Sequence, residues 1–480
     1  MDWKKFLDTE KRYYKLFLPI FVEVLSVMLT STVTMFYSAK IGGEHFVTGV
    51  GIATLLNIGV LYAFVLGYGT VFDSYAGAIK ATYGDSAVGV LVVKCALQGF
   101  IFYLLSLVPY LCSVYLVRLF GEDESVHQVA DLYLKLESGR PILLYMRDLL
   151  VKYLVIQGLP LVALCVSVLA LPVHLILGWF CVVHMRWGLY GLAAAQLGNS
   201  ALFLFILILI CVWKRQELKW DSSCSSLFSG WGEMVKLGSF AGFRVTATYG
   251  LVIASHILSQ SSGAITAEAV VIIDKVHLPF TASIFAAGYA VAMLTGEALG
   301  RADKTSYKYF IKLALVNCFL ERVIATTLYL LIIKPFAGII TGDEQVLKEI
   351  GRASPAVAVL LAVAALDELL ARGILNPLAK LVFVGIASTV SIYSIGIPLM
   401  ACFIFIFRAK ASSIFWCFVV SYGVQNVAYL VRIYFVDIEE EIESCKDRSS
   451  NQQQSSPISS DVNNPSVKGP TDYKSVCSVD

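Results

Sequence analysis

Three acidic residues interrupt long apolar stretches in the second half of the chain: Asp274, Asp367 and Glu368. A carboxylate in a low-dielectric cavity can hold either a proton or a cation, and losing one favours gaining the other. That exchange is the minimum chemistry of a coupled antiporter. We therefore predict that at least one of these carboxylates couples proton movement to the transport of a cationic substrate.

Four more residues in apolar stretches could take part in the same chemistry. Glu23 and Asp73 add carboxylates in the first half of the chain, and Asn57 is the amide that we expect to face a cavity. Tyr289 could offer an organic cation the face of its ring. We include these four side chains in the predicted site for substrate and proton coupling.

A structural explanation competes with this functional one. A charged side chain at the centre of a bilayer costs about 3 kcal/mol, so each one needs a partner, water or a function. Arg147 and Asp148 are neighbours in sequence, and we expect them to form an ion pair that positions helices. Arg244 or Lys275 could also neutralise the nearby acids outright. Both explanations remain open at this point.

The composition limits the class of protein. Of 480 residues, 58% are hydrophobic and 15% are charged, whereas soluble chains carry about 45–50% and about 25%. This excess of apolar residues predicts an integral membrane protein with many spans. A net charge of +2 without a clustered basic face gives no support for nucleic-acid binding.

The remaining chemistry-bearing residues predict neither an enzyme nor a metalloprotein. The eleven cysteines form no C-x-x-C pair and no Cys/His cluster with metal-ligand spacing. No pairing of a nucleophile with a base stands out either. We therefore predict no metal, no cofactor and no catalytic residue.

Twelve stretches are long enough to cross a bilayer as helices, which is the only structure that satisfies the backbone of such apolar segments in lipid. The predicted fold class is an all-α polytopic membrane protein with twelve transmembrane helices. We number the spans 1 to 12 from the amino terminus: 17–39, 47–72, 88–114, 140–156, 160–183, 187–213, 235–259, 264–294, 309–334, 353–375, 380–407 and 412–436.

Basic residues set the expected orientation, because Lys and Arg concentrate in cytoplasmic loops. The amino terminus and the loops after spans 6 and 8 carry such residues, so both termini are predicted to be cytoplasmic. The tail is rich in Ser, Asn, Gln and Glu and is predicted to be disordered. The expected organisation is an amino terminus (1–16), a first lobe (17–213), a cytoplasmic loop (214–234), a second lobe (235–436) and a disordered cytoplasmic tail (437–480).

The two halves also resemble each other at a nearly fixed offset. The sequence RDLL at 147–150 pairs with DELL at 367–370, and Gly84 pairs with Gly300. Six spans per half is an even number, so the repeats are parallel and related by an axis along the membrane normal. Two such lobes could rock around a central cavity, which suits alternating access better than it suits an enzyme or a fixed pore.

Four short motifs make the chain similar to a known family. These are FYSAKIG at 36–42, VKYLVIQG at 151–158, GLYGLA at 188–193 and EALG at 297–300. Over about residues 15–435 the chain resembles the multidrug and toxic compound extrusion (MATE) family in its eukaryotic branch. The resemblance implies twelve helices in two lobes and proton- or sodium-driven efflux of organic cations.

The chain departs from the family pattern at several positions. Thr34 stands where the family often has Asp in its first helix, and Arg244 lies near where eukaryotic members have Glu in the seventh. The residues NPLA at 376–379 replace the family's R-G-x-G run. The chain is thus identified as a divergent member.

We predict a monomer in the plasma membrane that exchanges a small organic cation for protons rather than sodium. Two alternatives stay open. One is a flippase or exporter of an anionic or lipid-linked substrate, which the extra bases favour. The other is a transport-inactive membrane scaffold that acts through its tail.

Overall fold

The fold is built from helices. The computed structural model describes residues 3–42, 44–113, 115, 118, 124–216, 218 and 230–453, and every regular element in these ranges is helical. An apolar chain in lipid has no water to satisfy its peptide groups, so it must bond them within each helix. The predicted all-α, twelve-span fold is confirmed, and each predicted span overlaps one continuous helical segment.

The helices extend beyond most of the predicted spans, and spans 2, 5, 10 and 11 contain a wider π-helical turn. Their bounds, in span order, are Trp3–Gly42; Glu44–Leu56 with Asn57–Tyr62 and Ala63–Tyr83; Asp85–Cys112; Arg140–Ile156; Pro160–Gly178 with Trp179–His184; Gly188–Trp213; Trp231–Gln260; Ala264–Gly300; Lys304–Ile340; Glu344–Glu368 with Leu369–Leu375; Leu381–Val390 with Ser391–Gly396 and Ile397–Phe405; and Ala411–Tyr434. In the described ranges, two further helices, Glu124–Leu136 and Ile438–Gln453, lie outside the spans.

Spans 4 and 10 differ from the others when length and apolarity are considered together. Among the described residues, ten helices are long and apolar enough to cross a membrane by length and composition, and these two are not among them. Span 4 holds Arg147, Asp148 and Lys152, and span 10 contributes another set of charged side chains. The same charges that lower the apolarity of these helices therefore mark where the buried polar chemistry of the bundle is concentrated.

The prediction of a disordered tail over 437–480 is wrong for its first part, because Ile438–Gln453 is a helix. Ile438 and Ile442 are four residues apart, so they share one helix face and pack against the core. Because this segment is strongly polar overall, its composition did not reveal the narrow apolar face of the helix. The rest of the tail, 454–480, lies outside the described residues.

Ion pairs fix this C-terminal helix to the bundle. Glu439 pairs with Lys304 at the start of span 9 at 2.5 Å, and Glu441 pairs with Lys380 just before span 11. Cys445 is buried at 6% exposure. The helix therefore lies against the same end of the bundle as the amino-terminal ends of spans 9 and 11.

Glycines bring the two halves into direct backbone contact along span 2. A Cβ atom added to Gly67 would lie 2.2 Å from the backbone nitrogen of Gly242 in span 7. One added to Gly77 would lie 2.6 Å from the carbonyl oxygen of Met293 in span 8. Only glycine permits such an approach, so this part of span 2 is locked against the second half, with Asp73 between the two glycines.

We expect Gly67→Ala to lower the thermal unfolding midpoint of the purified protein in detergent. The added methyl group meets backbone atoms, which cannot rotate away, and overpacking of this kind costs about 1–3 kcal/mol. Gly198→Ala is the matched control, since nothing lies within 4 Å of a Cβ at that position. Equal midpoints for the two variants would contradict the close contact of spans 2 and 7.

Candidate functional site

A continuous series of ion pairs runs through the buried middle of the bundle and joins the two halves. Every side chain in it is at most 13% exposed. In order along this ion network, the pairs are Asp148–Lys152 (2.9 Å), Lys152–Asp73 (3.3 Å), Asp73–Arg372 (3.6 Å), Arg372–Glu368 (2.9 Å), Glu368–Arg244 (2.7 Å) and Arg244–Asp367 (2.8 Å).

Helix geometry explains two of these pairs. Asp148 and Lys152 are four residues apart in span 4, and Glu368 and Arg372 are four residues apart in span 10. Residues at this spacing face each other on one side of a helix. The two pairs also occupy corresponding positions of the repeat, so one acid–base arrangement occurs once in each half.

The charges of the ion network do not cancel. It contains four carboxylates and three bases, which leaves one carboxylate in excess. Buried charges are tolerated only when they are paired, because the cost of removing an ion from water is large. The ion network can therefore balance its charge by taking up one proton or one monovalent cation.

The structure brings together three of the acids predicted from the sequence. Asp73, Asp367 and Glu368 all belong to the ion network, whereas Asp274 does not. Asp274 instead lies 3.5 Å from His256 in span 7 and 3.7 Å from His277 in its own span. The acids of the second half thus form two separate groups.

Glu23 belongs to another buried pair in the first half. Its carboxylate lies 2.8 Å from the Arg147 guanidinium and accepts a 2.6 Å hydrogen bond from Ser167. The expected pairing of Arg147 with Asp148 is therefore wrong. Neighbouring residues on a helix point in different directions, so Arg147 reaches span 1 while Asp148 turns toward Lys152.

The two uncharged residues of the predicted site have different surroundings. Asn57 is buried in the π-helical turn of span 2, where it donates to the Tyr110 hydroxyl at 3.0 Å and to the Glu137 carbonyl at 3.1 Å. Tyr289 contacts the ion network. Its hydroxyl donates to the Lys152 carbonyl at 3.1 Å, and the Lys152 ammonium lies 5.7 Å from its ring centroid.

Sequence reasoning missed the bases Lys152 and Arg372 as members of the site. Their signal was their position four residues after an acid. It also missed His174, whose Nε2 lies 3.2 Å from the Thr34 hydroxyl, while Gln196 donates to the same hydroxyl at 2.5 Å. Thr34 thus lies in a buried polar cluster at the place where the resembling family often has an acid.

Comparisons with known proteins agree with this architecture. The family model described as MatE matches residues 19–180. Multidrug and toxin extrusion protein 1 of Xenopus tropicalis is 23% identical over 452 residues, which cover 90% of this chain and 75% of that protein.

Two solved structures share the fold. The eukaryotic MATE transporter AtDTX14 has a TM-score of 0.85 at 17% identity and covers 92% of this chain and 99% of its own. A transporter of the MOP superfamily from Pyrococcus furiosus has a TM-score of 0.76 at 13% identity, with 91% of this chain and 96% of its own covered. Its structure is described as having a binding pocket of reverse polarity that suggests a different function.

We expect Glu23→Gln and Arg147→Gln each to destabilise the protein by about 3–5 kcal/mol, because each leaves a buried charge without its partner. The double variant removes both charges and should be more stable than either single variant. Thermal unfolding of the three variants in detergent measures the difference. A double variant whose loss equals the sum of the two single losses would show that the pair does not act as a unit.

Proposed function

We propose that the chain is a member of the multidrug and toxin extrusion (MATE) family and, on this premise, that it is a secondary antiporter that exports small organic cations in exchange for protons. It is an integral membrane transporter, like the relatives that it resembles. Alternating access of the two six-span lobes would carry the exchange. We further propose that it acts as a monomer in the plasma membrane with both termini in the cytoplasm.

The excess carboxylate of the ion network is the observation that carries this proposal. Asp367 lies at one end of the network, at 2% exposure, and the base paired with it is Arg244, which Glu368 shares. Protonation of Asp367 would leave three carboxylates with three bases. Protonation of any of the other three carboxylates would balance the count equally well. We assign the main coupling role to Asp367 because its partner Arg244 is shared with Glu368, so Arg244 keeps a carboxylate partner when Asp367 is neutral.

Glu368 and Asp274 complete the proposed coupling site. Glu368 lies between Arg244 and Arg372, so a change of charge at Asp367 alters the pairing of both bases. Asp274 lies beside two histidines, His256 at 3.5 Å and His277 at 3.7 Å. A proton gradient could thus act on the second half at two places, while Glu23 and Asn57 support the packing of the first.

A second candidate is export of an anionic substrate. Lys152, Arg244 and Arg372 place three bases in the middle of the bundle. If their carboxylate partners were protonated, these bases could bind an anion. The structure of the neighbour from Pyrococcus furiosus, which is described as having a binding pocket of reverse polarity, supports this second candidate.

Flux into proteoliposomes tests both candidates. With an acidic interior, we expect the wild type to accumulate cationic dyes and to leave anionic dyes outside. Asp367→Asn should lower accumulation about tenfold or more, because the amide cannot exchange a proton. Asp8→Asn, the same change at an exposed position of the amino terminus, should have no effect. Accumulation of anionic dyes alone would favour the second candidate, and unchanged flux in Asp367→Asn would overturn the coupling role.

A further inference from the structure

Asp73 occupies a special place in the ion network because it joins the two halves. Its carboxylate is fully buried, at 0% exposure, in span 2. Lys152 of the same half lies 3.3 Å from it, and Arg372 of the other half lies 3.6 Å from it. All other pairs of the network form within one half, so this one is broken when the halves separate around Asp73.

Separation of the halves divides the charges unequally. With every carboxylate ionised, the second half keeps a balanced set, and the first half keeps the excess carboxylate. The second-half residues are Arg244, Asp367, Glu368 and Arg372, and the first-half residues are Asp73, Asp148 and Lys152. Arg372 would stay paired with Glu368 at 2.9 Å, while Asp73 and Asp148 would share one lysine.

The surroundings of Asp73 contain few groups that could replace Arg372. Span 7 offers Arg244, but this base is bound to Glu368 and Asp367. The titratable and charged groups around Asp73 are Lys152, Asp148 and Tyr145 of span 4, Arg372 and Glu368 of span 10, Tyr289 of span 8 and Cys95 of span 3. Once Arg372 withdraws, a cation from outside the protein is the direct way to restore the balance.

The contacts around Asp73 form the closed part of the interface between the halves. The close approaches at Gly67 and Gly77 flank Asp73. Asn376, directly after span 10, donates to the Thr70 carbonyl at 3.0 Å and accepts from Ser74. A state that opens on this side must break these contacts and the Asp73–Arg372 pair together. The basic loops predict that this side is cytoplasmic.

We propose that Asp73 binds the cationic group of the substrate when the halves part on its side, and that Arg372 displaces it when they close. This inference rests on the proposed function. The Arg372 guanidinium lies 5.6 Å from the Phe285 ring centroid, and the Lys152 ammonium contacts Tyr289. Aromatic faces that hold these side-chain cations can also hold an organic one. Arg372 is thus an internal competitor that releases the cargo toward the opposite side.

Equilibrium binding of tetraphenylphosphonium to the purified protein, without any gradient, tests the competition. Asp73→Asn should weaken binding about tenfold or more, because it removes the carboxylate. Arg372→Gln should tighten binding and slow turnover, because nothing then displaces the cation. Opposite signs for the two variants are the decisive result. A purely structural ion pair would make both variants bind more weakly, and that outcome would overturn the proposal.

The double variant Asp73→Asn/Arg372→Gln controls for misfolding caused by an unpaired buried charge, since it removes one charge of each sign. It should bind as weakly as Asp73→Asn, and binding at the wild-type level would overturn the proposal. Asp8→Asn serves again as the control for the substitution itself. A wild type that binds the cation but shows no pH-driven flux would refute the proposed function alone. Wild-type flux with unchanged affinity in Asp73→Asn would refute this inference alone.

Discussion

The cost of burying charge inside a membrane bundle governs this structure. The ion network alone places seven ionisable side chains in the middle of the bundle, and they are tolerated there because each contacts a partner of opposite sign. Satisfying them requires spans 2, 4, 7 and 10 to meet at one place. The glycines of span 2 make that possible by letting the backbones of the two halves touch. Packing and charge thus depend on each other, and a shift of one half changes both.

The repeat gives the ion network a simple origin in the sequence. Each half supplies an acid followed four residues later by a base, Asp148 with Lys152 and Glu368 with Arg372. The halves then differ in what surrounds this pair. The second adds Arg244 and Asp367 and stays balanced, while the first adds Asp73 and becomes acidic. A nearly symmetric scaffold therefore carries an asymmetric charge.

The spans were predictable because their length and apolarity are local properties of the chain, and even span 4, with its charges, has the predicted bounds Arg140–Ile156. The partners of the buried charges were less predictable. Contacts at i and i+4 can be read from spacing, but the Asp73–Arg372 and Glu23–Arg147 contacts depend on how distant helices pack. The docked helix Ile438–Gln453 escaped prediction for a similar reason. Its apolar face is only a few residues wide, and it can be recognised only from its packing against the bundle.

The charged character of spans 4 and 10 has a consequence for topology mapping. A topology prediction that requires a long helix with a strongly apolar stretch would omit one membrane crossing from each half, span 4 and span 10. Because two crossings are lost, the amino and carboxyl ends would still be assigned to a common compartment, and the error would pass unnoticed there. Every loop from the end of span 4 to the start of span 10 would be assigned to the wrong face. A reporter inserted between spans 6 and 7, rather than at either end of the chain, is what separates the two topologies.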